Sequence, residues 1–213
     1  MLVKSRMTPN PYTISSEKSI TDVMELMHEK NLKRVPVVDG DRVVGIITNT
    51  DLQKMTPNQA TTLSVWEINY LLAKTPVTKT MEKNVETVSP NTFLEVAAVQ
   101  MRSKRISTLA VVEDEKLVGI ITESDIFDAF IDILGAREKG TRLTITVVDH
   151  PGILAKIAGV LSEYGANISR MVAYNGKDGH TDLVFRFDTT ETHHIEEAIT
   201  RNGFEITDIS KTF

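Results

Sequence analysis

Gly45-Ile46-Ile47-Thr48-Asn49-Thr50-Asp51-Leu52 recurs 74 residues further along the chain as Gly119-Ile120-Ile121-Thr122-Glu123-Ser124-Asp125-Ile126. The same shift, without gaps, pairs Met7 with Met81, Thr13 with Thr87, Ser15 with Ser89, Met27 with Met101, and Val37-Val38 with Val111-Val112. One register held over that length marks a duplicated unit, so whatever one copy folds into, the other should repeat.

Working outward, each copy reads as one series of elements. Ser19 or Thr21 can cap a helix whose Ile20, Val23, Met24 and Met27 make one apolar face; Leu94, Ala97, Ala98 and Met101 do the same in the second copy. Val35-Pro36-Val37-Val38 predicts a short strand, Asp39-Gly40-Asp41 a turn, and Val43 to Ile47 the second strand of a hairpin. Thr48 to Asp51 fall where strand gives way to helix, with the next helix expected from near Leu52, and from near Ile126 in copy two.

This β-α-β-β-α order, closed by Gly-hydrophobic-hydrophobic-Thr-x-x-Asp, resembles the CBS domain over about residues 1–56 and 75–134. The resemblance implies a tandem pair, a Bateman module, that binds an adenine nucleotide as a regulatory ligand and needs no cofactor. Thr48 with Asp51 and Thr122 with Asp125 would then hold sugar and phosphate, with Thr13 and Thr87 near the base. AMP, ADP, ATP, S-adenosylmethionine and a cyclic dinucleotide all present the same adenosine to Thr and Asp, and the motif does not separate them. The chemistry is sound, since a carboxylate can accept from both hydroxyls of a ribose and a Thr hydroxyl can donate to a phosphate oxygen. The competing reading is local: Thr and Asp at a strand-to-helix junction also serve simply to cap the helix.

The copies differ where an anion would care. Copy one carries Lys33 and Arg34 before its first hairpin strand, where related modules place phosphate contacts; copy two has Ser107 and Thr108 there, and Glu123 inside its motif. Unequal sites are therefore expected. Sites in such a pair share residues across a pseudo-twofold, so which motif Lys33 and Arg34 serve stays open.

Between the copies, the polar stretch Gln53 to Thr62 leads into an amphipathic helix. Ser64-Val65-Trp66-Glu67 fits a capping box, and Val65, Ile68, Leu71 and Leu72 make an apolar stripe. This helix either packs on its own module or, through the lone Trp66 and Tyr70, meets a second subunit or a partner.

Gly135 to Thr141 supplies a polar link, and the pattern changes beyond it. Leu143, Ile145 and Val147 alternate as a strand; Pro151-Gly152 opens a helix with Leu154, Ile157, Ala158 and Leu161 on one face; Gly165 closes it. Ile168 to Tyr174 and Asp182 to Phe187 predict two strands, Thr192 to Asn202 a helix, and Phe204 to Ile209 a last strand. The βαββαβ result is ferredoxin-like. Asp149-His150-Pro151-Gly152 with Tyr164-Gly165-Ala166-Asn167-Ile168 resembles an ACT domain. The resemblance implies side-by-side dimerisation and an amino acid or other small metabolite held by Asp149, Gly152, Asn167 and Ile168.

The expected class is α+β: residues 1–60 a CBS domain, 61–76 a connector helix, 77–134 a second CBS domain, 135–141 a linker and 142–213 the ACT domain. The five histidines, His28, His150, His180, His193 and His194, form no H-E-x-x-H, and no G-x-S-x-G, Walker loop or G-x-G-x-x-G is present. Binding without catalysis is the expectation. A scaffolding dimer with vestigial sites is the alternative, and a weak nucleotide hydrolase a more distant one.

The balance of 24 Lys+Arg against 29 Asp+Glu gives a net charge of −5, which disfavours a partner bound through many phosphates, such as nucleic acid. With no cysteine and no long apolar run, a cytoplasmic protein without a membrane segment is expected. The arrangement of pair and ACT domain also resembles the acetoin utilisation regulatory proteins of firmicute bacteria. That likeness implies a homodimeric sensor that regulates a partner enzyme in acetoin catabolism.

Overall fold

In copy one, the strands β1 (Thr8–Pro9) and β2 (Ile14–Ser15) precede helix α1 (Ile20–Glu29), hairpin β3 (Arg34–Asp39) and β4 (Arg42–Thr48), and helix α2 (Asn49–Met55). After α3 (Val65–Lys74), copy two gives β5 (Thr87–Val88), α4 (Leu94–Lys104), β6 (Thr108–Glu113), β7 (Lys116–Thr122) and α5 (Glu123–Ile133). The computed structural model describes residues 1–55 and 64–212. Most of the polar stretch expected at Gln53–Thr62, and the boundary expected at 60/61, lie outside the described residues. By internal contacts the chain divides into two units, Met1–Phe127 and Asp128–Phe213.

Most of the apolar stripe of α1 behaves as its spacing requires: Ile20, Val23 and Met27 are buried against Val35, Val37 and Ile47, while Met24, expected on the same face, is 38% exposed at its margin. Of the two candidate caps, Ser19 is the one used. Its hydroxyl accepts from the Asp22 N–H at 3.3 Å, and Asp22 accepts from the Ser19 N–H at 2.8 Å. Thr21 lies inside the helix. Both helices after the hairpins begin earlier than expected, at Asn49 and Glu123, because Thr48 and Thr122 stand directly at the helix start and leave no loop.

The two copies are joined by exchanged segments. Strand β1 of copy one pairs antiparallel with β7 of copy two, Thr8 opposite Ile120, and the sheet order there is β1-β7-β6-β5. In return Glu82, from the entry to copy two, bridges Ile46 in β4, with N–H to O distances of 2.9 Å in both directions. The 74-residue shift converts one contact into the other. It also converts Val3 N–H to Thr92 O into Val77 N–H to Lys18 O, and Leu94 N–H to Met1 O into Ile20 N–H to Thr75 O, all at 2.9 Å. The repeat is thus a pseudo-twofold in space.

The motif glycines belong to this join. A Cβ at Gly45 would strike the Met81 thioether, and one at Gly119 would strike that of Met7. Helix α3 caps as expected, with Ser64 and Glu67 bonded reciprocally, and Leu72 packs on the copy-one core. Trp66, at 85% exposure, points away with Val65 and Tyr70.

The second unit is the expected βαββαβ: β8 (Gly140–Val147), α6 (Ile153–Glu163), β9 (Ile168–Asn175), β10 (Thr181–Phe187), α7 (His193–Arg201) and β11 (Glu205–Thr212), with sheet order β11-β8-β10-β9. Leu143, Ile145, Val147, Leu183, Phe185 and Phe187 face the helices as one buried layer. Two details correct the sequence reading. The buried face of α6 is Ile153, Ile157, Val160 and Leu161, with Leu154 exposed, so the stripe is rotated by about one residue. Gly140 and Thr141, expected in the linker, already belong to β8.

Gly45→Ala and Gly119→Ala should each destabilise the chain by about 1–3 kcal/mol in urea unfolding, since both overpack the join. Pairing Gly45→Ala with Met81→Ala should cost less than the sum of the two single changes, which a double-mutant cycle reads directly.

Candidate functional site

At the end of β4 the Thr48 hydroxyl donates to Asp51 Oδ2 at 2.6 Å, the Thr48 N–H donates to the same oxygen at 3.1 Å, and the Asp51 N–H returns a bond to Thr48 Oγ1 at 3.3 Å. Copy two repeats this at Thr122 and Asp125, with 2.7 Å for both bonds to Oδ2 and 3.4 Å for the return. Both corners are therefore closed capping boxes. The capping role is real in each copy, and what remains for a ligand is whatever oxygen the cap leaves over.

That remainder differs. Asp51 Oδ1 is taken by Lys54 Nζ at 3.1 Å. Asp125 Oδ1 has no partner among the described residues. Burial works to raise the Asp51 pKa, but the bonds from Thr48 and Lys54 outweigh it and hold the carboxyl below its ordinary value.

Arg34 reaches across the pseudo-twofold. Its Nη1 donates to the Ser107 carbonyl at 3.0 Å and the Ser107 hydroxyl at 3.2 Å. Burial lowers its pKa, and the nearby carboxylates of Glu123 and Asp125 oppose that shift and favour the charge. The copy-one cation is therefore held against the copy-two motif.

A cavity of about 630 Å³ lies at this junction, lined by Tyr12, Asn31, Lys33, Arg34 and Pro36 from copy one and Ile120, Thr122 and Ser124 from copy two, with the β1 segment Thr8 to Pro11 closing it. Lys33 and Arg34 line this cavity together with Thr122, and Thr48 is not among its lining residues. Asn10 and Asn31 hold left-handed backbone, at φ 45° and 51°, on its wall. Lys30 sits over the Tyr12 ring at 5.6 Å.

At the positions that the shift equates with Thr8, Tyr12, Lys33 and Arg34, copy two offers Glu82, Glu86, Ser107 and Thr108. Glu86 is bound to Lys104 at 2.6 Å. Thr13 and Thr87 sit at short strands, exposed, and neither lines this cavity. Sequence reasoning passed over Tyr12, Asn31 and Ser124. The signal available was the repeat itself, since aligning the copies sets Tyr12 against Glu86.

A second groove of about 530 Å³ runs between α1 and α2, lined by Met24, Met27, His28, Asn49 and Leu52. It has a smaller counterpart in copy two and contains neither Thr-Asp corner. In the second unit, Asp149 and Gly152 are exposed in the loop before α6, and Gly152 caps that helix at φ 91°, with open space where a Cβ would stand. Asn167 is exposed and donates its N–H to Asp188 at 3.3 Å, while Ile168 turns to the core. No group of three or more His, Asp or Glu among the described residues could hold a metal ion.

Comparison with known proteins matches the same regions. The model of the CBS domain matches residues 3–56 and 77–132, and that of the ACT domain residues 141–210. Among solved structures, a protein assigned to acetoin utilization (AcuB) from Vibrio cholerae is 30% identical, with a TM-score of 0.53 over 64% of this chain and 95% of that one. CBSX2 in complex with AMP is 29% identical, with a TM-score of 0.53 over 62% and 97%. The CBS domain pair of MJ0100, in complex with 5-methylthioadenosine and S-adenosyl-L-methionine, is 28% identical, with a TM-score of 0.51 over 65% and 98%. An inosine-5'-monophosphate dehydrogenase from Nitrosopumilus maritimus is 32% identical over 57% of this chain, but this chain spans only 23% of that enzyme.

Asp51 has a folded pKa below its unfolded value, so its contribution is fully present above the unfolded pKa and is lost as pH falls through the folded one. Asp51→Asn should therefore cost about 1 kcal/mol at pH 7. In urea unfolding the gap between wild type and variant should narrow as pH drops below about 4.

Proposed function

We propose, from the fact that this chain belongs to the CBS-domain family and carries a C-terminal ACT domain, that it is a ligand-responsive regulator that does not transform what it binds. Its primary ligand is an adenosine bearing a 5'-phosphate. The observation that carries this reading is the cavity in which Lys33 and Arg34 of one copy meet Thr122 and Ser124 of the other. In it, two cations supply the phosphate end. Tyr12 and Pro36 offer apolar faces to a base, and Asp125, which does not itself line the cavity, is bonded to the Thr122 that does and keeps its Oδ1 free for a ribose hydroxyl. The AMP complex of one relative and the adenosyl complexes of another support the ligand class.

The mirror corner at Thr48 and Asp51 is the poorer site: it lacks the two cations and its second carboxylate oxygen is already engaged. Thr13 and Thr87 serve at most the base end. We assign 1–60 and 77–134 as the two halves of this sensor and 142–213 as a second input, which binds an amino acid or similar metabolite near Asp149, Gly152, Asn167 and Ile168. The chain works as a cytoplasmic homodimer, and its likeness to AcuB makes an enzyme of acetoin catabolism the partner to test first. Occupancy acts on that partner only if the ligand favours one conformation of the chain over another.

The closed Thr-Asp boxes favour one rival, a scaffold in which both corners are purely structural. Calorimetric titration with AMP and with 5-methylthioadenosine separates the two. The sensor binds AMP; the double variant Lys33→Ala, Arg34→Ala weakens AMP by about ten- to hundredfold while changing methylthioadenosine little, as loss of charge-assisted bonds to phosphate requires. Binding of neither ligand favours the scaffold.

A further inference from the structure

Cross-strand pairs on the ACT sheet place three arginines in one row. Arg186 of β10 stands opposite Arg142 of β8 on one side and opposite Arg170 of β9 on the other. Paired residues share a face, and the alternate positions Leu143, Phe185 and Phe187 fill the core, so the row lies on the face away from the helices. Directly opposed residues sit with Cβ atoms about 5 Å apart, and like charges at that spacing destabilise a sheet.

The row is neutralised only at its ends. Arg142 binds Asp208 at 2.7 Å, and Arg170 binds Glu138 at 2.7 Å. Arg170 is also held by the Asp132 carbonyl at 3.4 Å. Arg186, in the middle and half-buried, has no side-chain partner among the described residues. One step along the same face, Thr144 is 4% exposed and its hydroxyl has no hydrogen-bond partner among the described residues. A buried, unbonded hydroxyl costs about 1–3 kcal/mol and is uncommon. In the register it stands opposite Val184 of β10 and Asp208 of β11, with Arg186 diagonal to it on the same face.

We infer that Arg186, flanked by Arg142 and Arg170 and completed by the Thr144 hydroxyl, is a binding site for one small oxyanion, a carboxylate or a phosphate. The planar fork of Arg186 donates to two oxygens of such a group, and because Asp208 and Glu138 already neutralise Arg142 and Arg170, Arg186 is the member of the row left without a carboxylate. Thr144 supplies the neutral donor. The site shares no residue with the loop before α6 or with the adenosine cavity.

The test uses the full chain in chloride buffer, with inorganic phosphate and succinate as separate probes, read by thermal shift and by calorimetry. Either probe should raise Tm, and whichever acts more strongly distinguishes the two sources of the oxyanion. With Lys33→Ala and Arg34→Ala in place to remove the cations of the adenosine cavity, Arg186→Gln should abolish the shift, and Thr144→Val should weaken binding about tenfold. The double variant Lys33→Ala, Arg34→Ala should keep it, which separates this site from the adenosine cavity. Without anion, Arg186→Gln should melt no lower than wild type, because it relieves a like-charge row. A merely structural arginine would instead lower Tm. The inference is overturned if neither probe shifts the wild type, if Arg186→Gln added to that double variant responds as the double variant does, or if Arg186→Gln is destabilised without anion.

Discussion

Everything in the first unit depends on a debt between two sheets: each hairpin leaves an open edge that only the other copy's entry segment fills. A hairpin with one short parallel strand beside it is a marginal structure, and its exposed edge presents unpaired N–H and C=O groups. Thr8–Pro9 closes the edge of copy two, and Glu82 closes that of copy one. Neither copy can complete itself, so the join is obligatory and its geometry is fixed by backbone hydrogen bonds. Gly45 and Gly119 are the places where this closeness excludes a side chain.

The same exchange creates the asymmetric cavity. Because β1 crosses to copy two, it carries Tyr12 and the chain leading to Lys33 and Arg34 toward Thr122, whereas the segment that crosses in return carries the acidic Glu82 onto β4. A symmetric backbone thus presents two chemically different sites. Arg34 reinforces the difference by bonding to Ser107, the residue that replaces Lys33 in copy two. Two duplicated halves need only a few substitutions at the seam to acquire one cationic site and one that is not.

The fold was legible from the sequence because the periodicities were strong and were stated twice. The apolar stripe of α1 and the alternation of β8 reappear as buried layers. Where structure and periodicity part, the reasons are physical. A leucine near a helix start fits an apolar stripe, yet Leu154 is exposed and Ile153 and Val160 complete a better one against the sheet. The helices after the hairpins start earlier than their apolar residues indicate because a Thr-x-x-Asp capping box allows strand to pass into helix with no loop. The pairing of Lys33 and Arg34 with Thr122 was not readable, since it depends on which segment crosses the pseudo-twofold, and no local pattern encodes that.

The arginine row was invisible for a related reason. Arg142, Arg170 and Arg186 are scattered along the chain, and each is unremarkable where it stands; only the register of three antiparallel strands brings them side by side. A folded sequence usually agrees with itself at every level, and a place where it does not is expected to be functional or strained. The row is such a place, because Asp208 and Glu138 relieve its flanks and leave its centre charged. The unbonded Thr144 hydroxyl beside that centre makes strain alone an incomplete account, since two independent deficits, one of negative charge and one of a hydrogen-bond acceptor, are met by the same missing group.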